Sequence, residues 1–226
     1  MIENLIETLS TEEDLSKPLL KTLVFARRMG NEYLANWVLQ ELNGYDLSDT
    51  LPNYRYGKAS LSATLKQKGQ LTNPVSLPLV CFSKETVNVL VKKPFFGSVS
   101  VLEAICSDKN NKYIIDEYAA DMLQSLSQEV RNNGHDFSVI NCRQIVAVAE
   151  IKGIFISIKT KLLDLLLRIE KDFPDLDVVK SEKEEKSDIN QVINYFINEI
   201  YSITNVGDKN VINTGNDTSV SVNVDN

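Results

Sequence analysis

The chain has 226 residues, 43% of them hydrophobic and 24% charged, and a formal net charge of −7. That is long enough for a sizeable core and suits a globular domain with an appendage. The acidic balance argues against nucleic acid or an anionic membrane surface as a general partner. No apolar run approaches the roughly 18 residues of a membrane span, so no transmembrane segment is expected. The opening MIENLIETLSTEED lacks a basic region and its apolar run is broken by acids, so no secretory signal is expected. Cys81, Cys106 and Cys142 are widely spaced and form no C-x-x-C pair. They read as reduced, buried thiols of a cytoplasmic protein, not as a disulfide framework or zinc site.

The first third is helical. Thr11-Glu12-Glu13-Asp14 has the form of a capping box. Leu15, Leu19, Leu23 and Ala26 then share one helical face, with Arg27 and Arg28 in the last turn and Gly30 as C-cap. Asn31 starts a second helix whose stripe is Leu34, Trp37, Val38 and Leu42, and Asn43-Gly44 ends it. So short a turn predicts a helical hairpin. Leu61, Ala63 and Leu65 alternate with Ser60, Ser62 and Thr64, which predicts a half-buried strand. Residues 75–82 predict a second strand, an edge or irregular one because of Pro78.

Ser83 caps a short helix that Pro94 closes, and residues 99–106 form another. Asp116 reads as the cap of a helix with Ala119, Met122, Leu123, Leu126 and Val130 inward, stopped at Asn133-Gly134. Residues 139–148, rich in β-branched side chains, read as a strand. The clearest helix comes next, with Ile151, Phe155, Ile158, Leu162, Leu165, Leu166 and Ile169 at three- and four-residue spacing, and Pro174 beyond it. Residues 173–188 read as a charged linker. Ile189, Val192, Ile193, Phe196, Ile197 and Ile200 mark one more amphipathic helix. It leads into residues 203–226, where Val and Ile alternate with Asn, Ser and Thr around two turn clusters, a strand–turn–strand pattern. An isolated two-stranded ribbon is marginal in water, so this tail needs a partner.

Little in the chain points to a reaction. His135 is the only histidine, which excludes H-E-x-x-H zinc chemistry and leaves at most a pairing with the nearest thiol, Cys142. No phosphate-binding glycine loop occurs, no cofactor is expected and no metal site is assigned. Asp136, Glu150 and Lys152 imitate the acidic–x–Lys arrangement of metal-dependent nucleases, in which carboxylates hold Mg²⁺ and the lysine supports the attacking water. Glu150, however, opens a strong helix, where the helix dipole already accounts for an acid. Arg55, Lys58, Lys66 and Lys68, interleaved with Tyr54 and Tyr56, form a candidate nucleic-acid strip, against the plainer reading of a solvated strand face. The helix over residues 151–173 could serve a membrane-disrupting toxin, but its charges favour a core helix.

The block LLKTLVFARRMGNEYLANWVLQELNGY followed by LPNYR resembles the opening of the AbiTii domain, a bacterial family associated with abortive infection and phage defence. The shared features are the basic helix ending Ala-Arg-Arg-x-Gly-Asn, here residues 26–31, and the helix closing Glu-Leu-Asn-Gly-Tyr, here residues 41–45. Residues 97–105 and 153–170 agree in style, and the similarity runs over about residues 1–175. The family also commonly continues into a tail rich in Asn, Gly and Val. The resemblance implies a part in the conflict between bacterium and phage, as effector or sensor, and carries no catalytic residues with it.

These readings give an α+β fold: a mainly helical body with a small, mostly antiparallel sheet, plus a C-terminal helix and β-ribbon tail. The expected units are residues 1–175 as the body, 176–188 as linker, and 189–226 as an oligomerisation module. Within that module Ile189, Val192, Ile193, Phe196, Ile197 and Ile200, with Val211, Val220, Val222 and Val224, would make the contacts of a homo-oligomer. A phage component or a neighbouring defence protein is the other candidate partner. The expected role is a cytoplasmic, self-associating defence protein, with a nuclease or membrane toxin as the rival readings.

Overall fold

The computed structural model describes residues 1–12, 14–108, 110–174, 176 and 183–201. The tail reading of residues 203–226, with Val211, Val220, Val222 and Val224, lies outside them, as do residues 177–182 of the expected linker, whereas its residues 183–188 are not linker but the start of the last helix. Eight helices are described: α1 (Ile2–Thr11), α2 (Ser16–Met29), α3 (Glu32–Asn43), α4 (Lys84–Val91), α5 (Val99–Ser107), α6 (Ala120–Asn132), α7 (Val148–Asp172) and α8 (Lys183–Tyr201). The strands are β1 (Tyr56–Gln67), β2 (Gln70–Leu71), β3 (Val75–Ser76), β4 (Lys92–Pro94), β5 (Tyr113–Glu117) and β6 (Ser138–Ala147). The fold is α+β and mainly helical, with a small antiparallel sheet.

Local chemistry sets most boundaries. Gly30 ends α2 in the left-handed conformation (φ 70°). The Asn31 side chain accepts the Leu34 N–H at the start of α3, and Ser83 and Ser98 cap α4 and α5 in the same way. The expected capping box is not used. Thr11 closes α1, with its hydroxyl donating to the Glu7 carbonyl, and the Leu15 N–H before α2 donates to Glu103 of α5 instead. Residues 75–82 give only the two-residue β3 and a short 3₁₀ turn, Leu79–Cys81, beyond Pro78. Asp116 caps no helix. It lies inside β5, which pairs with β6 along its whole length, and it forms an ion pair with Lys93. The next helix starts at Ala120 with no side-chain cap.

Strand order is β2-β1-β6-β5, with β3 and β4 also paired to β1 and every pairing antiparallel. Ser62 pairs with both Ser76 and Arg143, and Lys66 with both Leu71 and Ser138. So β2 and β3 line one edge of β1 and β6 lines the other. One sheet face is covered: Leu61, Ala63, Leu65, Val139 and Cys142 pack with Leu90 of α4 and with Leu126 and Val130 of α6. The alternate residues Ser60, Ser62 and Thr64 lie on the opposite face, as the period of two requires.

The larger core joins α1, α2, α3, α5, α7 and α8 to the end of the sheet at Val146. It contains Ile189, Ile193, Phe196, Ile197 and Ile200, with Val192 packed at its margin. This corrects the expectation for the C-terminal helix. Its apolar face is buried on the chain's own body, so it is part of that body and not a separate contact surface. Trp37 meets Phe196 edge to face at 5.8 Å. Asn31 joins the two regions, since its Nδ2 donates to Asn190 and Asn194 while its Oδ1 caps α3. We predict that Ile193→Ala lowers stability by about 2–5 kcal/mol in urea denaturation. A loss under about 0.5 kcal/mol, the size of an ordinary surface substitution, would show that α8 contributes no core.

Candidate functional site

The residues of the nuclease reading are not brought together. Asp136 is exposed in the turn before β6, and Glu150 lies in the first turn of α7, just after β6 ends. The ten residues of β6 hold them roughly 30 Å apart at about 3.3 Å per residue. Glu150 already has a structural partner, accepting the Lys58 N–H at 2.9 Å, and Lys152 is exposed. Among the described residues no group of His, Cys, Asp and Glu is arranged to hold a metal ion, and no helix is long and apolar enough to cross a membrane. His135 is exposed, whereas Cys142 is fully buried under the sheet, where burial pushes its thiol up to about 11. That pair is not a nucleophile and its base.

The candidate basic strip loses a member. Lys58, Lys66 and Lys68 are exposed, but Arg55 is not; it is the centre of the most polar part of the interior. The side chains of Arg55 and Glu41 are both 0% exposed, and the guanidinium pairs with the carboxylate through Nη2, with Nε also 3.3 Å from Oε1. Nη1 donates to the carbonyls of Gly97 at 2.7 Å and Phe95 at 3.3 Å. Glu41 Oε1 also accepts the hydroxyls of Tyr45 (2.6 Å) and Tyr54 (2.8 Å). Trp37 donates its indole N–H to Tyr54, and the Tyr45 ring lies against the guanidinium at 5.0 Å.

Three segments meet here: the end of α3, the lead into β1, and residues 95–98. The backbone fixes their approach. Gly44 has φ 96°, and a Cβ there would lie 3.0 Å from the Phe96 carbonyl oxygen, so only glycine lets the chain pass. The Tyr45 N–H then donates to that same carbonyl at 2.8 Å. The donors and acceptors satisfy one another, which makes the cluster a structural junction. Burial raises Tyr45, with the neighbouring Tyr54 and Glu41 adding to the shift; burial and then the Glu41 charge raise Tyr54. Burial also pushes Tyr201 up to about 12. Sequence reasoning missed this junction, although its members Glu41, Tyr45, Tyr54 and Arg55 all lie in the ELNGY and NYR segments that carry the family resemblance.

The other notable feature is the open sheet face and its outer strand. Tyr113 and Ile115 of β5 are 58% and 57% exposed. They lie in register with Ala147 and Ile145 of β6, and an exposed Glu117–Arg143 ion pair closes the row.

Two outcomes are expected of the junction. Arg55→Leu strands a buried carboxylate and costs about 3–5 kcal/mol in urea denaturation, whereas adding Glu41→Leu costs less than the two single losses summed. An additive double variant would mean that the pair is not coupled. The tyrosines set an alkaline limit. Their folded pKa values are raised, so their contribution is intact below the unfolded value near 10 and is lost as pH rises beyond it. Stability should fall more steeply above about pH 10 in the unmodified chain than in Tyr54→Phe.

The family model described as AbiTii matches residues 1–195. Neither the curated proteins nor the solved structures give a match.

Proposed function

The chain belongs to the AbiTii family, and on that premise we propose that it is a bacterial phage-defence protein working in the cytoplasm by self-association, as effector or sensor. The family name, with its reference to abortive infection, supports the defence role. Self-association rests on one observation: a body whose last helix is consumed by its own core is succeeded by residues 202–226, which include no Leu, Phe, Met or Trp from which to build another core. That segment has little charge and alternates Val or Ile with Asn, Ser and Thr, so it can satisfy its backbone best against another strand. The helix leading into it is anchored, because α8 is packed from Ile189 to Ile200 and the Tyr201 hydroxyl donates to Gln40 at 3.0 Å. A phage component or a neighbouring defence protein would supply the trigger.

The place of α8 dictates the test. A chain ending at Asp188 loses Ile193 and Phe196 from the core and is expected to unfold, so it says nothing of assembly. A chain ending at Thr204 keeps every described element. We expect light scattering to give an oligomer for the full chain and a monomer for the chain ending at Thr204, with the shortened chain still folded by circular dichroism. Equal masses for the two would end the self-association reading.

A further inference from the structure

The outer strands of the sheet are unlike: β4, paired only with β1, is three residues long and ends in Pro94. On the β2 and β3 side the outer strands are two residues long, a length that offers little to an incoming strand. On the other side β5 is five residues long and pairs only with β6. Its hydrogen bonding can be read from the flanking bonds. The Val148 N–H donates to the Lys112 carbonyl and the Tyr118 N–H to the Cys142 carbonyl, so the even-numbered residues of this stretch face β6. In an antiparallel ladder the alternate residues then point their N–H and C=O groups outward. Those residues are Tyr113, Ile115 and Glu117. Among the described residues they make no backbone bond to another element.

The same three residues place their side chains on the open face, where Tyr113 and Ile115 leave an apolar strip beside the edge. The usual inward charge, Asp116, is on the covered side and paired with Lys93, so it does not repel a strand arriving at the edge.

We infer that this edge of β5 takes residues 217–225 of a second copy as an added strand. This deepens the self-association reading and rests on it. The segment reads DTSVSVNVD. Its period of two puts Val220, Val222 and Val224 on one face, where they extend the strip formed by Tyr113 and Ile115, while its backbone satisfies the outward groups. The residues between Tyr201 and Asp217 span up to about 50 Å when extended. Each copy has one such edge and one such segment, so exchange between two copies closes the assembly.

Ile115→Pro in the full chain is the direct test. The Ile115 N–H faces outward, so proline removes a donor from the edge without breaking the ladder to β6. We expect the variant to keep its circular dichroism and to raise the dissociation constant of the assembly by at least about tenfold. Amide-resolved hydrogen exchange on the unmodified chain gives the same answer without a variant. The amides of Tyr113, Ile115 and Glu117 should slow by at least about tenfold on going from dilute monomer to assembly. If the chain assembles while those amides exchange as fast as in the monomer, the edge proposal falls and self-association stands. If it remains monomeric with the edge unprotected, both fall. Protection in a monomer would place the chain's own tail on the edge and overturn exchange between copies.

Discussion

The buried pair of Glu41 and Arg55 constrains everything around it. Taking two ions out of water costs several kcal/mol for each, and their mutual attraction offsets that only when the remaining donors and acceptors are also satisfied. Here the conditions are met by groups from separate parts of the chain: hydroxyls of Tyr45 and Tyr54 on the carboxylate, and carbonyls of Phe95 and Gly97 on the guanidinium. The pair is therefore tolerable only when the end of α3, the lead into β1 and residues 95–98 are all in place. Any arrangement that displaces one of them leaves a charge without its partner in the interior. Burial then raises the tyrosines around the pair as a consequence of the same geometry.

Much of the fold was legible because local chemistry and tertiary structure agree. Gly30, Asn31, Gly44, Ser83 and Gly134 stand at the ends of elements where their backbone preferences put them, and Ile151, Ile158, Leu162, Leu165, Leu166 and Ile169 of the long stripe are buried. The failures have a common physical cause. Asp116 looks like a helix cap by local rules, but five residues of pairing to β6 and the Lys93 ion pair outweigh a cap. Arg55 looks like part of a solvated basic strip because Lys58 and Lys66 lie just beyond it, whereas its partner Glu41 lies fourteen positions upstream on another element. Short-range patterns carry no record of such pairings. The family resemblance falls on the right segments without saying why they go together; the reason is the ion pair.

The C-terminal helix shows the same limit. An apolar stripe states that a face must be covered, not by what. Ile189, Ile193, Phe196, Ile197 and Ile200 suit a homo-oligomer as well as they suit a core. Asn31 helps decide between them. With one amide it caps α3 through Oδ1 and holds Asn190 and Asn194 through Nδ2, so the turn between α2 and α3 is also the seat of α8. The Asn190 side chain returns a bond to the Met29 carbonyl in that turn. A helix fixed by polar bonds and an aromatic contact to Trp37 is an integral layer of the body.

With α8 assigned to the body, the proposed self-association rests on residues 202–226 and on a surface that the body leaves incomplete. The covered face of the sheet is packed against α4 and α6, and the β2 and β3 edge is broken into short pieces. The other outer strand, β4, is three residues long and ends in Pro94, which has no N–H to offer, whereas in β5 exposed apolar side chains and outward backbone groups belong to the same residues. Their coincidence is a property of the ladder: in an antiparallel pair, alternate residues share both a side-chain face and a hydrogen-bonding direction. A strand added there would satisfy backbone groups and cover Tyr113 and Ile115 in one step. Covering the open face alone would leave the backbone unpaired, so a strand is a better complement to this edge than a helix or a flat apolar surface.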